Sequence, residues 1–98
     1  MDLIFHIIER LLEERKKTIS TEQEQGKCDF VQHCLDCRPL FYTLSFTAQC
    51  GMFKFLGVDD TKRIKEYVGI LNLPQLRAKY AYRHIIYADQ QDNDKKSE

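Results

Sequence analysis

Four cysteines, Cys28, Cys34, Cys37 and Cys50, fall with His33 into 23 consecutive residues, and no cysteine occurs elsewhere in the chain. The spacing C-x5-C-x2-C-x12-C contains one pair, Cys34 and Cys37, with the two-residue gap that lets a chain turn around a tetrahedral zinc ion. Cys28 or His33, together with Cys50, would complete such a shell. Two features oppose a metal site: Leu35-Asp36 is not a typical knuckle turn, and Cys50 falls inside an expected helix. Small buried thiols are therefore the expected state, and no cofactor is expected. A redox pair is not the expected role either. Arg38 and a following helix start would lower the Cys37 pKa, but no βαβ pattern surrounds the pair. The start of the chain, Met1 to Arg10, has an acidic second residue and an apolar run broken at Glu9, unlike a secretory signal. A cytoplasmic or nuclear protein that is not secreted is thus expected, with disulfides disfavoured.

Arg77 and His84 form a second candidate pair. Their R-x6-H spacing resembles the R-x4-6-H ribonuclease motif of HEPN domains, which are small helical bundles that usually act as dimers. The resemblance implies an arginine that stabilises phosphate charge and a histidine acting as general acid or base on RNA. It covers two residues. Ala78 replaces the usual polar neighbour of the arginine, and His84 falls on an apolar stripe, so a core histidine is the expected role.

The third candidate is electrostatic. Net charge is zero, from 15 basic and 15 acidic residues, but the division is uneven. Residues 1–37 hold 8 acids and 5 bases, residues 51–87 hold 3 acids and 7 bases, and residues 88–98 hold 4 acids and 2 bases. A basic segment between acidic ends suits phosphates or an acidic partner, and equally suits a plainly solvated helix face. Within the stretch from Lys54 to Arg83, the candidate phosphate contacts are Lys62, Arg63, Lys65, Arg77, Lys79 and Arg83. Interleaved Tyr67, Tyr80, Tyr82 and Tyr87 would supply base-stacking surfaces or, equally, anchors for a protein partner.

These residues must be positioned by helices. From Asp2 to Lys17, Ile4, Ile8 and Leu11, widened by Leu3, Ile7 and Leu12, recur at helical spacing without Gly or Pro. Arg15, Lys16 and Lys17 suit the dipole at the helix end, and Glu13 and Lys17 form an i,i+4 pair. So wide an apolar face predicts burial against the domain or a second copy, making a homodimer through this helix a candidate. Residues 18–27 have only Ile19 as a large apolar residue and read as a linker, with the capping-box spacing of Thr21 and Glu24 read as accidental. A short helical turn is expected from Asp29 to about Cys37, with Phe30 and Cys34 on one face.

Pro39 then opens an expected helix to Leu56, with Leu40, Phe41, Leu44, Ala48, Met52, Phe55 and Leu56 inward and Gly57 as the stop. Strand-forming residues over 40–46 compete with that reading. Asp59 or Asp60 caps the next helix, to Leu71, with Ile64, Tyr67, Val68 and Leu71 as its stripe. Asn72 closes it. Pro74 opens a last helix whose stripe is Leu76, Tyr80, Ala81, His84, Ile85 and Ala88, and residues 89–98 read as a disordered polar tail.

The expected fold is therefore all-α: one domain over residues 1–88, a bundle of four to five helices. A helix-turn-helix over 39–71 is a candidate within it, with Phe55 to Asp59 as the turn. Phe53 occupies a position where that motif prefers a small residue, and Ile64 sits one position late. Composition agrees with a soluble domain: 43% hydrophobic, 31% charged, mean hydropathy -0.49. No phosphate-binding glycine loop, paired catalytic carboxylates, Ser-His-Asp order or HExxH occurs, so a non-enzymatic regulatory or accessory binding protein is expected, acting in a complex and contacting nucleic acid. A protein-interaction adaptor or inhibitor is the alternative.

Overall fold

The computed structural model of the chain describes residues 2–80, and the architecture there is all-α, with no strand among the described residues. In order come α1 (Leu3–Lys16), α2 (Glu22–Asp36), a 3-10 helix η1 (Arg38–Thr43), α3 (Phe46–Phe55) and α4 (Thr61–Leu71). A further helix, α5, begins at Pro74 as its sequence predicts and is described as far as residue 80. No helix among the described residues is long and apolar enough to cross a membrane.

α1 buries Ile4, Phe5, Ile8 and Leu12, which succeed one another at intervals of one to four residues and form one stripe. Each large apolar side chain removed fully from water contributes about 1.5–3 kcal/mol. The wide face is thus mostly consumed within the chain: Ile7 and Leu11 are half-buried and only Leu3 stands out, 69% exposed. The expected Glu13 to Lys17 pair is replaced by two i,i+3 pairs, Lys16 with Glu13 (3.4 Å) and Lys17 with Glu14 (3.1 Å).

The linker expected over 18–27 is mostly helix. Thr21 is the N-cap of α2; its hydroxyl accepts from the Glu24 backbone N–H at 3.1 Å, and the Glu24 carboxylate in turn accepts from the Ser20 backbone N–H at 3.3 Å. α2 therefore begins about seven residues before the expected turn. Its buried stripe is Cys28, Val31 and Cys34, so two thiols stand where a helix of this kind usually carries aliphatic side chains.

The single helix expected from Pro39 to Leu56 is divided. Pro39 starts only the 3-10 turn, Leu44 is extended (φ −79°, ψ 141°), and Ser45 recaps the chain by accepting from the Ala48 N–H at 3.1 Å. The restart changes the inward register: Gln49, Met52, Phe53 and Leu56 are buried, whereas Ala48 is exposed and Phe55 half-buried. α3 ends in a Schellman turn. Gly57 takes φ 93°, its N–H bonds the Lys54 carbonyl, and the Val58 N–H bonds the Phe53 carbonyl, both at 3.0 Å. The Asp60 carboxylate then caps α4 through the Lys62 N–H at 3.0 Å, and Ile64, Val68 and Leu71 are buried as expected.

Aromatic rings close the core. Phe5 packs on Phe41 and on Tyr80, each with centroids 5.3 Å apart, and Phe53 packs on Tyr67 at 5.4 Å. The buried amide of Gln49 is satisfied: its Nε2 donates to the Phe41 carbonyl at 2.9 Å, and its Oε1 accepts from Asn72 Nδ2 at 2.7 Å.

Candidate functional site

The six proposed phosphate contacts separate by environment. Lys62, Arg63 and Lys65 are all exposed on α4 and make no ion pair among the described residues. The outward position follows from the buried Ile64, Val68 and Leu71 stripe, which leaves the opposite face to solvent. The exposed Asp59 and Asp60 oppose a phosphate at the leading end of α4; Asp60 caps the helix through the Lys62 N–H at 3.0 Å and keeps its charge. Arg77 is exposed on α5. Lys79 is exposed too, but its ammonium pairs with the Asp2 carboxylate at 3.4 Å and lies 5.4 Å from the Tyr80 ring centroid. Arg83 lies outside the described residues.

Asp2 is the centre of a charged cluster invisible in the sequence. The Tyr80 phenol donates to its carboxylate, Lys79 pairs with it, and Arg38 Nη1 approaches to 4.0 Å while donating to the Tyr80 oxygen at 3.1 Å. The Tyr80 hydrogen bond, helped by Lys79, holds the Asp2 carboxyl below its ordinary value, against the opposing effect of burial. Arg38 also lies 4.9 Å over the Phe5 ring. Tyr42 stacks on Tyr80 at 6.2 Å, and its hydroxyl is buried without a hydrogen-bond partner among the described residues. Burial pushes that phenol up to about 12, with Tyr80 and Asp2 adding to the rise.

Tyr80 and Tyr67 do not form the expected stacking platform. Tyr80 is 3% exposed and belongs to the core, and Tyr67 is half-buried against Phe53. Tyr82 and Tyr87 lie outside the described residues.

The cysteine cluster is divided as well. Cys28 and Cys34 are fully buried on α2, Cys37 and Cys50 are half-buried, His33 is exposed, and all four thiols are free. No three His, Cys, Asp or Glu side chains among the described residues group in an arrangement that would hold a metal ion. Burial, with the neighbouring Cys37, pushes the Cys34 thiol up to about 11, far from the value of a nucleophile. Of the R-x6-H pair, Arg77 is exposed and His84 lies outside the described residues.

One surface escaped sequence reasoning. Between α2 and α3 runs an open, apolar groove of about 480 Å³. Gly26, Lys27 and Phe30 line it from α2, and Ala48, Gly51 and Phe55 from α3. Phe30 is 49% exposed there. A Cβ added to Gly26 or Gly51 would meet nothing within 4 Å, so packing inside the chain does not require either glycine. Each costs its helix about 1 kcal/mol relative to alanine. Phe55 is fixed by Arg15, whose Nε donates to the Phe55 carbonyl at 2.8 Å and whose guanidinium lies 4.7 Å from the ring centroid. The sequence signal was available in principle: two glycines interrupt otherwise helical stretches. Their shared location emerges only once α2 and α3 are paired.

No protein-family model matches the chain, and no curated protein or solved structure matches it either.

Proposed function

We propose that this protein is a non-enzymatic helical binding module that acts in a complex and contacts nucleic-acid phosphates. Lys62, Arg63 and Lys65 on α4 are the primary contacts, with Arg77, Lys79 and Arg83 extending the basic surface. The observation that supports this reading is the solvent-facing state of three cations within four residues of one helix, none of them ion-paired among the described residues. Lys79 contributes less than the α4 residues, because a phosphate must compete with Asp2 for it. Base identity has little to do with such binding, since the described tyrosines of this half are packed inward and phosphate contacts carry no sequence information.

The test is a titration against labelled single- and double-stranded nucleic acid at several salt concentrations. Binding should weaken as salt rises, and the triple variant Lys62→Ala/Arg63→Ala/Lys65→Ala should lower the log–log salt slope by about 2–3, because each phosphate contact contributes about 0.7–0.9. Absence of binding at low salt, or an unchanged slope in the variant, removes the reading.

A second reading, a protein-interaction adaptor, is favoured by a separate observation: the open groove and the exposed Phe30 and Phe46, the latter 65% exposed. Docking of apolar surface is insensitive to salt over the range that abolishes phosphate contacts, so the same titration format separates the two.

A further inference from the structure

We propose that the groove between α2 and α3 is the docking site for one face of an amphipathic helix of a partner protein, whose apolar side chains fill the groove and whose acidic residue meets Lys27. This rests on the adaptor reading and names the chemistry of its partner.

Openness decides first. A volume of about 480 Å³ falls within the range of small-molecule sites, but such sites enclose most of their ligand, and this groove is open, with half of the Phe30 side chain in solvent. An occupant must therefore bring its own covering surface, which is a property of a protein segment. The walls are two helices with no strand edge to extend, so the recognition mode is helix-in-groove rather than strand addition.

The lining then selects the kind of helix. Gly26 on one wall and Ala48 with Gly51 on the other are low points, with open space above both glycines, and they admit close approach of a helical backbone or bulky side chains. Phe30 and Phe55 provide aromatic anchors, and the second is held in place by Arg15. Lys27 is the one ionic side chain among the described residues of the lining. It has no ion pair among the described residues and lies 5.6 Å from the Phe55 ring centroid. A docked helix would remove that ammonium from water, and a glutamate or aspartate beside the occupant's apolar stripe compensates it. A cationic or uncharged occupant would leave it unpaired.

The experiment uses the full chain as bait for a phage-displayed library of randomised helical 14-residue peptides, counter-selected on the Gly51→Leu variant. That substitution fills the groove, and the free space at Gly51 lets the helix form; an unchanged thermal melt verifies the variant's fold. Enriched peptides are expected to share apolar residues at i, i+4 and i+7 with an adjacent acid. They should bind the wild type at least tenfold more tightly than Gly51→Leu. Lys27→Glu should weaken them at least fivefold and should favour versions with lysine in place of the acid. The Lys62→Ala/Arg63→Ala/Lys65→Ala variant should bind them unchanged. Peptides that bind Gly51→Leu equally well, or ignore the Lys27 charge, overturn the groove assignment and leave an adaptor with a different docking face. Enrichment of no peptide overturns the groove proposal and leaves the adaptor reading to its own test, salt-insensitive docking of a folded partner. Self-association of the free protein abolished by Gly51→Leu would assign the groove to a second copy and likewise overturn the proposal.

Discussion

Replacing Gln49 with methionine keeps the length of the side chain and removes both hydrogen bonds made by its buried amide. Each such bond contributes about 1 kcal/mol net, and a buried group left with no partner costs about 1–3 kcal/mol. The surroundings place this site at the lower end. The Phe41 carbonyl keeps a bond from the Leu44 N–H at 3.3 Å, and Asn72 Nδ2 keeps the Val68 carbonyl at 2.8 Å, so neither former partner is orphaned. The expected loss is about 1–2 kcal/mol, or roughly 5–15 °C in Tm for a domain of this size. Urea denaturation of the wild type, Gln49→Met, Asn72→Ala and the double variant provides a cycle in which Gln49 and Asn72 should couple by about 0.5–1.5 kcal/mol. A coupling indistinguishable from zero, or a Gln49→Met protein as stable as the wild type, would refute the claim that this amide joins η1, α3 and α4.

Three further outcomes are expected. Gly57→Ala should cost about 1 kcal/mol in urea denaturation, because φ 93° closes the α3 Schellman turn and a Cβ is disfavoured there whatever the free space; an unchanged midpoint counts against the turn. The depressed Asp2 carboxyl contributes stability that is complete above its ordinary value near 3.8 and is lost as pH falls through its lower folded value. Asp2→Asn should therefore destabilise the protein at neutral pH and flatten the acid limb of stability against pH below about 4, and an identical acid limb in the variant would show that the Tyr80 contact has no such effect. Native thiol labelling at pH 8, read by peptide mapping, should modify Cys37 and Cys50 first and reach Cys28 and Cys34 only on unfolding, since a thiol at about 11 is ionised to about one part in a thousand there; Cys34 labelling as fast as Cys37 contradicts its burial.

The helices that announce themselves in the sequence are those whose local and tertiary signals agree. α1 and α4 carry aliphatic residues at helical spacing, and Asp60 caps α4 in the way its position suggests. The solvent-facing placement of Lys62, Arg63 and Lys65 follows from the same periodicity. α2 was hidden because its buried stripe is Cys28, Val31 and Cys34, preceded by a polar, glycine-containing first half, so the hydrophobic signal after the Thr21 cap was faint. The division at Leu44 was hidden for the opposite reason: Pro39 is a strong start signal, and apolar residues continue on both sides of Ser45, whose cap is the decisive local feature. Asp2, Arg38 and Tyr80 meet across 78 positions of sequence, and the groove requires α2 and α3 to be paired; no local pattern encodes either.

The way these short helices are held follows from the uneven supply of apolar side chains. Helices of 10–15 residues are marginal alone, and α2 brings little large apolar surface to the interface with α1. Polar side chains that each join several elements fill that gap at the ends of the bundle. Arg15, at the end of α1, bonds the Phe55 carbonyl of α3 at 2.8 Å and Thr18 at 2.8 Å, and pairs with Glu24 of α2 at 3.5 Å. Arg38 joins η1 to Phe5 and Tyr80, and Gln49 joins η1 and α3 to Asn72 at the end of α4. An exposed surface ion pair contributes little, but Arg15 and Arg38 combine a fixed guanidinium with a ring face and a specific acceptor in partly buried positions. The consequence for function is geometric: Arg15 fixes the Phe55 wall of the groove, and the Gln49 and Asn72 contact fixes α3 against the end of α4. The Gln49 and Asn72 contact therefore ties the α3 wall of the groove to the helix that carries Lys62, Arg63 and Lys65, and the two candidate recognition surfaces use no side chain in common.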